Sequence, residues 1–100
     1  MPSVADLVEE PALAELVAPE ALDAGRDLAA RGAVRLEEFG PVRVVAQVTD
    51  GDSSQRVELI AQAVGLGWSC DCEEGRTGLA CRHLAAAALE TWRKAPERRT

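Results

Sequence analysis

The sequence predicts a small α+β domain, with N-terminal helices, an antiparallel β-hairpin or three-stranded meander, and a C-terminal helix. Three observations carry this prediction. Apolar residues recur at helical spacing up to about residue 32, then alternate singly up to residue 64. A last amphipathic stretch, LAAAALETW, begins at residue 84. Between the strands and this stretch, all three cysteines and the only histidine of the 100 residues fall inside CDCEEGRTGLACRH, residues 70–83.

The N-terminal elements read as short helices. Ser3 is placed to cap a turn through Ala5, Leu7 and Val8, and Ala12, Leu13, Leu16 and Val17 repeat at helical spacing before Pro19. Pro19 suits the first turn of a further helix, with Leu22, Leu28 and Ala29 inward and Gly32 closing it. From Ala33 the period becomes two. Val34 and Leu36 alternate with Arg35 and Glu37; after Gly40-Pro41, Val44, Ala46 and Val48 share one face, with Val45 breaking the pattern. DGDSS at 50–54 is a turn signal, and Val57, Leu59, Ala61 and Ala63 then oppose Arg56, Glu58, Ile60 and Gln62. Gly65-Leu-Gly67 is expected to end that strand, leaving Trp68 to Cys72 as an extended lead into a polar loop bearing Gly75 and Gly78. The last helix is expected from about Cys81 to Lys94, with Leu84, Ala88 and Trp92 in one stripe and Pro96 stopping it.

Composition narrows the function. Apolar residues make up 47% of the chain, but 18 of them are alanine and only Phe39, Trp68 and Trp92 are aromatic. Burial contributes roughly 25 cal/mol per Å² of apolar surface, so an alanine-rich core is weak and gains from a metal staple. The longest apolar run, LAAAAL, is far below the roughly 18 residues of a membrane span. The N-terminus shows no basic segment followed by an apolar one, and three cysteines cannot all pair within one chain. The expectation is a cytoplasmic protein with reduced thiols and no membrane partner. The net charge of −6 lies entirely in residues 1–38, and the remaining 62 residues are balanced.

The cysteine–histidine cluster carries the chemistry. Zinc is held in structural sites by four tetrahedral ligands drawn from thiolates and imidazoles. Cys70 and Cys72 are two apart at the end of an extended segment, where side chains point to the same side. Cys81 and His83 stand at the mouth of the last helix, whose free N–H groups favour a thiolate. The predicted ligand set is Cys70, Cys72, Cys81 and His83, holding one structural Zn²⁺ per chain with no position left for water. Such a centre carries one negative charge, which backbone N–H groups and Arg82 or Arg76 are placed to offset.

The C-x-C-x₈-C spacing of Cys70, Cys72 and Cys81 also partly resembles that of the first three ligands in the CDGSH-type iron–sulfur proteins. Those proteins carry their histidine four positions beyond the third cysteine, whereas here Cys81-Arg-His83 places it two beyond. CDC-x₈-CRH followed by LAAAALETW more fully resembles the SWIM-type zinc finger: C-x-C, a variable loop, C-x-H and a short apolar helix. Gly25-Arg26, Gly32-Ala33-Val34 and the hairpin at 42–64 follow the order seen upstream in many bacterial members. The loop departs from that pattern, with Glu73-Glu74-Gly75 where relatives often have a proline. The resemblance covers about residues 20–94. The expected organisation is an acidic helical or partly disordered leader at 1–19, read from its charge and spacing, a SWIM-like zinc-binding domain at 20–95 with its knuckle and helix at 68–94, and a flexible tail at 96–100 after Pro96. The resemblance implies an association with DNA-handling complexes through binding to DNA or to other proteins.

Two functions follow. The favoured one is a structural zinc module that docks onto a protein partner, since region 69–100 has a charge balance of only +1 before the zinc centre is counted. The alternative is a nucleic-acid-binding finger that meets phosphates through Arg76 and Arg82. No enzyme is expected, and no small-molecule substrate. All thiols and the sole histidine are committed to metal, and neither a P-loop nor a GxGxxG run is present.

Overall fold

The computed structural model describes residues 4–8, 10–63, 65–76 and 80–94. Ser3, Val64, Gly78 and the tail from residue 95, each used in the sequence reading, lie outside the described residues. Three helices come first: α1 (Val4–Leu7), α2 (Glu10–Leu16) and α3 (Pro19–Ala30). Four strands follow, β1 (Val34–Phe39), β2 (Arg43–Asp50), β3 (Ser53–Gln62) and β4 (Gly65–Cys70). A short α4 (Glu73–Arg76) and the final α5 (Arg82–Lys94) complete the chain.

The α+β order holds, but the sheet has one strand more than the expected three. It is an antiparallel meander in the order β1-β2-β3-β4. Gly65 does not stop the chain. With φ at 131° it turns into a further strand, and Leu66, Trp68 and Cys70 pair with Ala61, Leu59 and Val57. Two glycines inside six residues hide this strand from a propensity reading. A β-bulge in β1 between Leu36 and Glu38 makes a second departure from simple alternation. It allows both Leu36 and Phe39 to pack against the core while Glu38 is exposed. Cross-strand rows then run the width of the sheet, Phe39–Val44–Leu59–Trp68 and Leu36–Ala46–Val57–Cys70.

α5 lies across the inward face of this sheet and contacts all four strands, with α3 packed along its side. Leu84 and Ala85 to Ala88 are completely buried, which is why the helix can be made of alanine: small side chains let helix and sheet approach closely. α3 ends in a Schellman motif. Gly32, at φ 74°, donates its N–H to Ala29 O, and Ala33 donates to Leu28 O. Val4, Val8, Leu13 and Val17 are buried in the same core, so the N-terminal helices contribute to it directly. Trp68 packs against the core on the strand leading to Cys70. Trp92, also packed against the core, lies nine residues beyond His83, about 13 Å along the helix. No helix among the described residues is long and apolar enough to cross a membrane.

Candidate metal centre

The four predicted residues come together. One ligand atom from each of Cys70, Cys72, Cys81 and His83 lies within 4.8 Å of the others. His83 Nδ1 stands 3.8 Å from Cys70 Sγ and 3.8 Å from Cys81 Sγ. Donors on a tetrahedral zinc, at about 2.0–2.3 Å from the ion, are separated by roughly 3.6–3.8 Å, so the spacing and the donor types fit. Cys70, Cys81 and His83 are buried and Cys72 is half-buried.

Each element has a local reason to present its ligand. Cys70 is the last residue of β4, held in the ladder against Val57, and Asp71 N–H continues the pairing to Arg56 O at 3.2 Å. Cys72 caps α4: its carbonyl accepts Arg76 N–H at 3.0 Å, and its sulfur accepts Gly75 N–H at 3.2 Å. Cys81 caps α5 in the same way, its carbonyl accepting Ala85 N–H at 3.1 Å while its sulfur takes a backbone hydrogen bond from Leu84. Two cysteines therefore use their sulfur as an N-cap acceptor, which supplies the thiolates with N–H donors and satisfies two helix starts. Gly75 is required by space. A Cβ on it would lie 2.5 Å from Cys70 Cβ and 2.6 Å from Cys70 O.

The electrostatics of the protein groups suit a cation. Cys81 is drawn well below the ordinary thiol range, first by a hydrogen bond from Cys70 and then, against the cost of burial, by His83, Leu84 N–H and Cys72. Cys70 is pushed the other way, since its proton is held by the Cys81 sulfur and burial penalises its charge. His83 is raised to about 9, chiefly by the Cys81 thiolate, with Cys72 and Asp50 adding to it. Seating a divalent metal expels the protons that Cys70 and His83 hold, as thiolate and imidazole ligation requires.

Asp50 is the residue the sequence reading missed. It ends β2, beside a two-residue loop with Gly51 at φ 66°, and its Oδ2 lies 2.9 Å from His83 Nε2. The same oxygen is 3.0 Å from Arg82 Nε. Nothing in DGDSS beyond a turn is readable locally, because the contact is made across 33 residues of chain. The two arginines predicted as contacts are placed differently. Arg82 opens α5, is half-exposed and is engaged by Asp50, whereas Arg76 is exposed at the end of α4.

This architecture defines a small α+β domain with a Cys₃His cluster in a zinc-knuckle arrangement, capable of coordinating a metal ion. Residues 50–91 match the family described as SWIM zinc finger, which identifies a SWIM-type zinc-finger domain over that stretch. The matched stretch begins at Asp50 and ends within α5, so it takes in the four candidate ligands and the carboxylate beside His83. No curated protein and no solved structure matches the chain.

Proposed function

We propose that the chain is a structural zinc module: Cys70, Cys72, Cys81 and His83 hold one Zn²⁺, and the folded domain docks onto a protein partner. The observation that carries this reading is the convergence of three sulfurs and one imidazole nitrogen within 4.8 Å, largely out of solvent. Three soft thiolates with an imidazole favour zinc over the oxygen-seeking cations, and four protein donors complete its tetrahedron. That leaves no coordination position for a substrate and no catalytic role for the centre. The module is read as an intracellular accessory of a DNA-associated complex, as the SWIM resemblance implies.

Docking to protein is favoured over docking to nucleic acid because the cations beside the helix are engaged by carboxylates. Arg82 is paired with Asp50, and Glu90 takes both Arg93, at 2.8 Å, and Lys94, at 3.8 Å. A net charge of −6 further opposes a polyanion. The test follows fluorescence anisotropy of labelled single- and double-stranded DNA with the zinc-loaded protein, from about 20 to about 200 mM salt. The expected result is no binding at the lowest salt. Micromolar binding with a clear salt slope, weakened by Arg76→Ala, overturns the protein-docking reading in favour of phosphate contact.

A further inference from the structure

We propose that Asp50 is a positioning residue of the metal centre, holding the His83 ring so that Nδ1, and not Nε2, takes the metal. The inference rests on the zinc reading above and concerns which atom of the imidazole ligates and what holds it there. A carboxylate only accepts hydrogen bonds, so the nitrogen facing Asp50 Oδ2 at 2.9 Å is the one that keeps its proton. That nitrogen is Nε2. The lone pair left on Nδ1 then faces two sulfurs at 3.8 Å each. Any rotation that presented Nε2 to the sulfurs would break the Asp50 bond and leave a buried carboxylate contact unmade.

Asp50 is itself well placed to act as a fixed support. It is three-quarters buried at the side chain and ends a strand whose ladder continues to the Asp50–Ser53 pair. One oxygen holds two consecutive side chains of the α5 start, Arg82 and His83. The Arg82 guanidinium shares the same carboxylate oxygen, and His83 Nε2–H is thereby tied to the end of β2. Carboxylate partners of ligating histidines fix the tautomer and ring orientation, and their loss typically weakens metal binding about 10–100-fold. The centre thus depends on a residue 20 positions before its first ligand, supplied by the hairpin and not by the knuckle.

His83 is the only histidine, so its ring nitrogens give unambiguous signals in a long-range ¹H–¹⁵N correlation spectrum of the zinc-loaded, ¹⁵N-labelled protein. The expected pattern is protonated Nε2 with metal on Nδ1. Competition with a chromophoric chelator then compares zinc affinity in the wild type, Asp50→Ala and Asp50→Asn. Asp50→Ala is expected to lose about 10–100-fold, and Asp50→Asn, whose amide oxygen still accepts from Nε2–H, to recover most of that loss. Zinc on Nε2, or unchanged affinity in Asp50→Ala, overturns the proposal. Should Asp50→Ala fail to fold, the wild-type spectrum decides alone. A wild type that takes up no zinc instead overturns the zinc reading, so the two failures are distinguishable.

Discussion

Gly25 of α3 meets Ala85 of α5 with no space for a side chain between them: a Cβ on Gly25 would lie 2.6 Å from Ala85 Cβ and 2.9 Å from Ala86 N. Ala85 is two residues beyond His83, so this contact seats the start of α5, with its candidate ligand, against α3. Glycine in a helix interior ordinarily costs about 0.5–1 kcal/mol against alanine. Its presence in mid-helix is explained by the close approach of the two backbones.

Gly25→Ala is therefore expected to destabilise, against the helix-propensity trend. The overpacking cost is about 1–3 kcal/mol, larger than the propensity gain. Urea unfolding of the zinc-loaded protein measures it, and a stabilised variant would show that α3 and α5 separate freely.

Gly75→Ala should damage the knuckle more than the fold. The new Cβ collides with Cys70 Cβ and carbonyl, and the shift needed to relieve it carries away the N–H that Cys72 Sγ accepts. Zinc affinity by chelator competition is expected to fall at least about tenfold, the scale on which outer support of a metal site is usually felt.

Removing a ligand should uncouple the two halves of the site. Cys72→Ser or His83→Ala is expected to lose zinc and to raise amide exchange through residues 70–83 and the first turn of α5, since small zinc domains draw folding energy from the metal. The β2–β3 ladder, with eight paired positions from Arg43 to Asp50, should keep more of its protection. Full zinc content with an unchanged thermal transition would contradict this.

The acid limb of stability should contain a contribution from Glu90. Its carboxylate is held below the ordinary 4.5 by the hydrogen bond from Arg93, with burial opposing and the charges of Arg93 and Lys94 assisting. A depressed folded-state value means the stabilisation is present above 4.5 and is lost as pH falls through the lower, folded value. Arg93 is largely exposed, so the size is modest, about 0.5 kcal/mol. Thermal unfolding of the wild type and Glu90→Gln should differ at pH 6 and converge towards pH 3.

The cysteine–histidine cluster was legible because its four residues lie in one short segment, and the structure brings one donor atom of each within 4.8 Å of the others. The helices were legible from Leu22 and Ala29 in α3, seven apart, and from Leu84 and Ala88 in α5, four apart, since both are helical intervals. What escaped depends on partners distant in sequence. β4 was hidden because glycines at 65 and 67 signal a loop locally, and only pairing with Gln62 and Ile60 makes them strand. Asp50 read as a turn residue because its role exists only when α5 arrives beside it. Gly25 fitted a family pattern, yet the reason for a glycine there is the neighbouring Ala85 backbone.

The proposed ligand set closes off a single zinc with three sulfurs and one nitrogen. X-ray absorption at the zinc K-edge of the purified, zinc-loaded protein tests it most directly. Three sulfurs at about 2.3 Å and one imidazole nitrogen at about 2.0 Å are expected, with no further oxygen. Fewer than three sulfurs, or a bound water oxygen in their place, would contradict it.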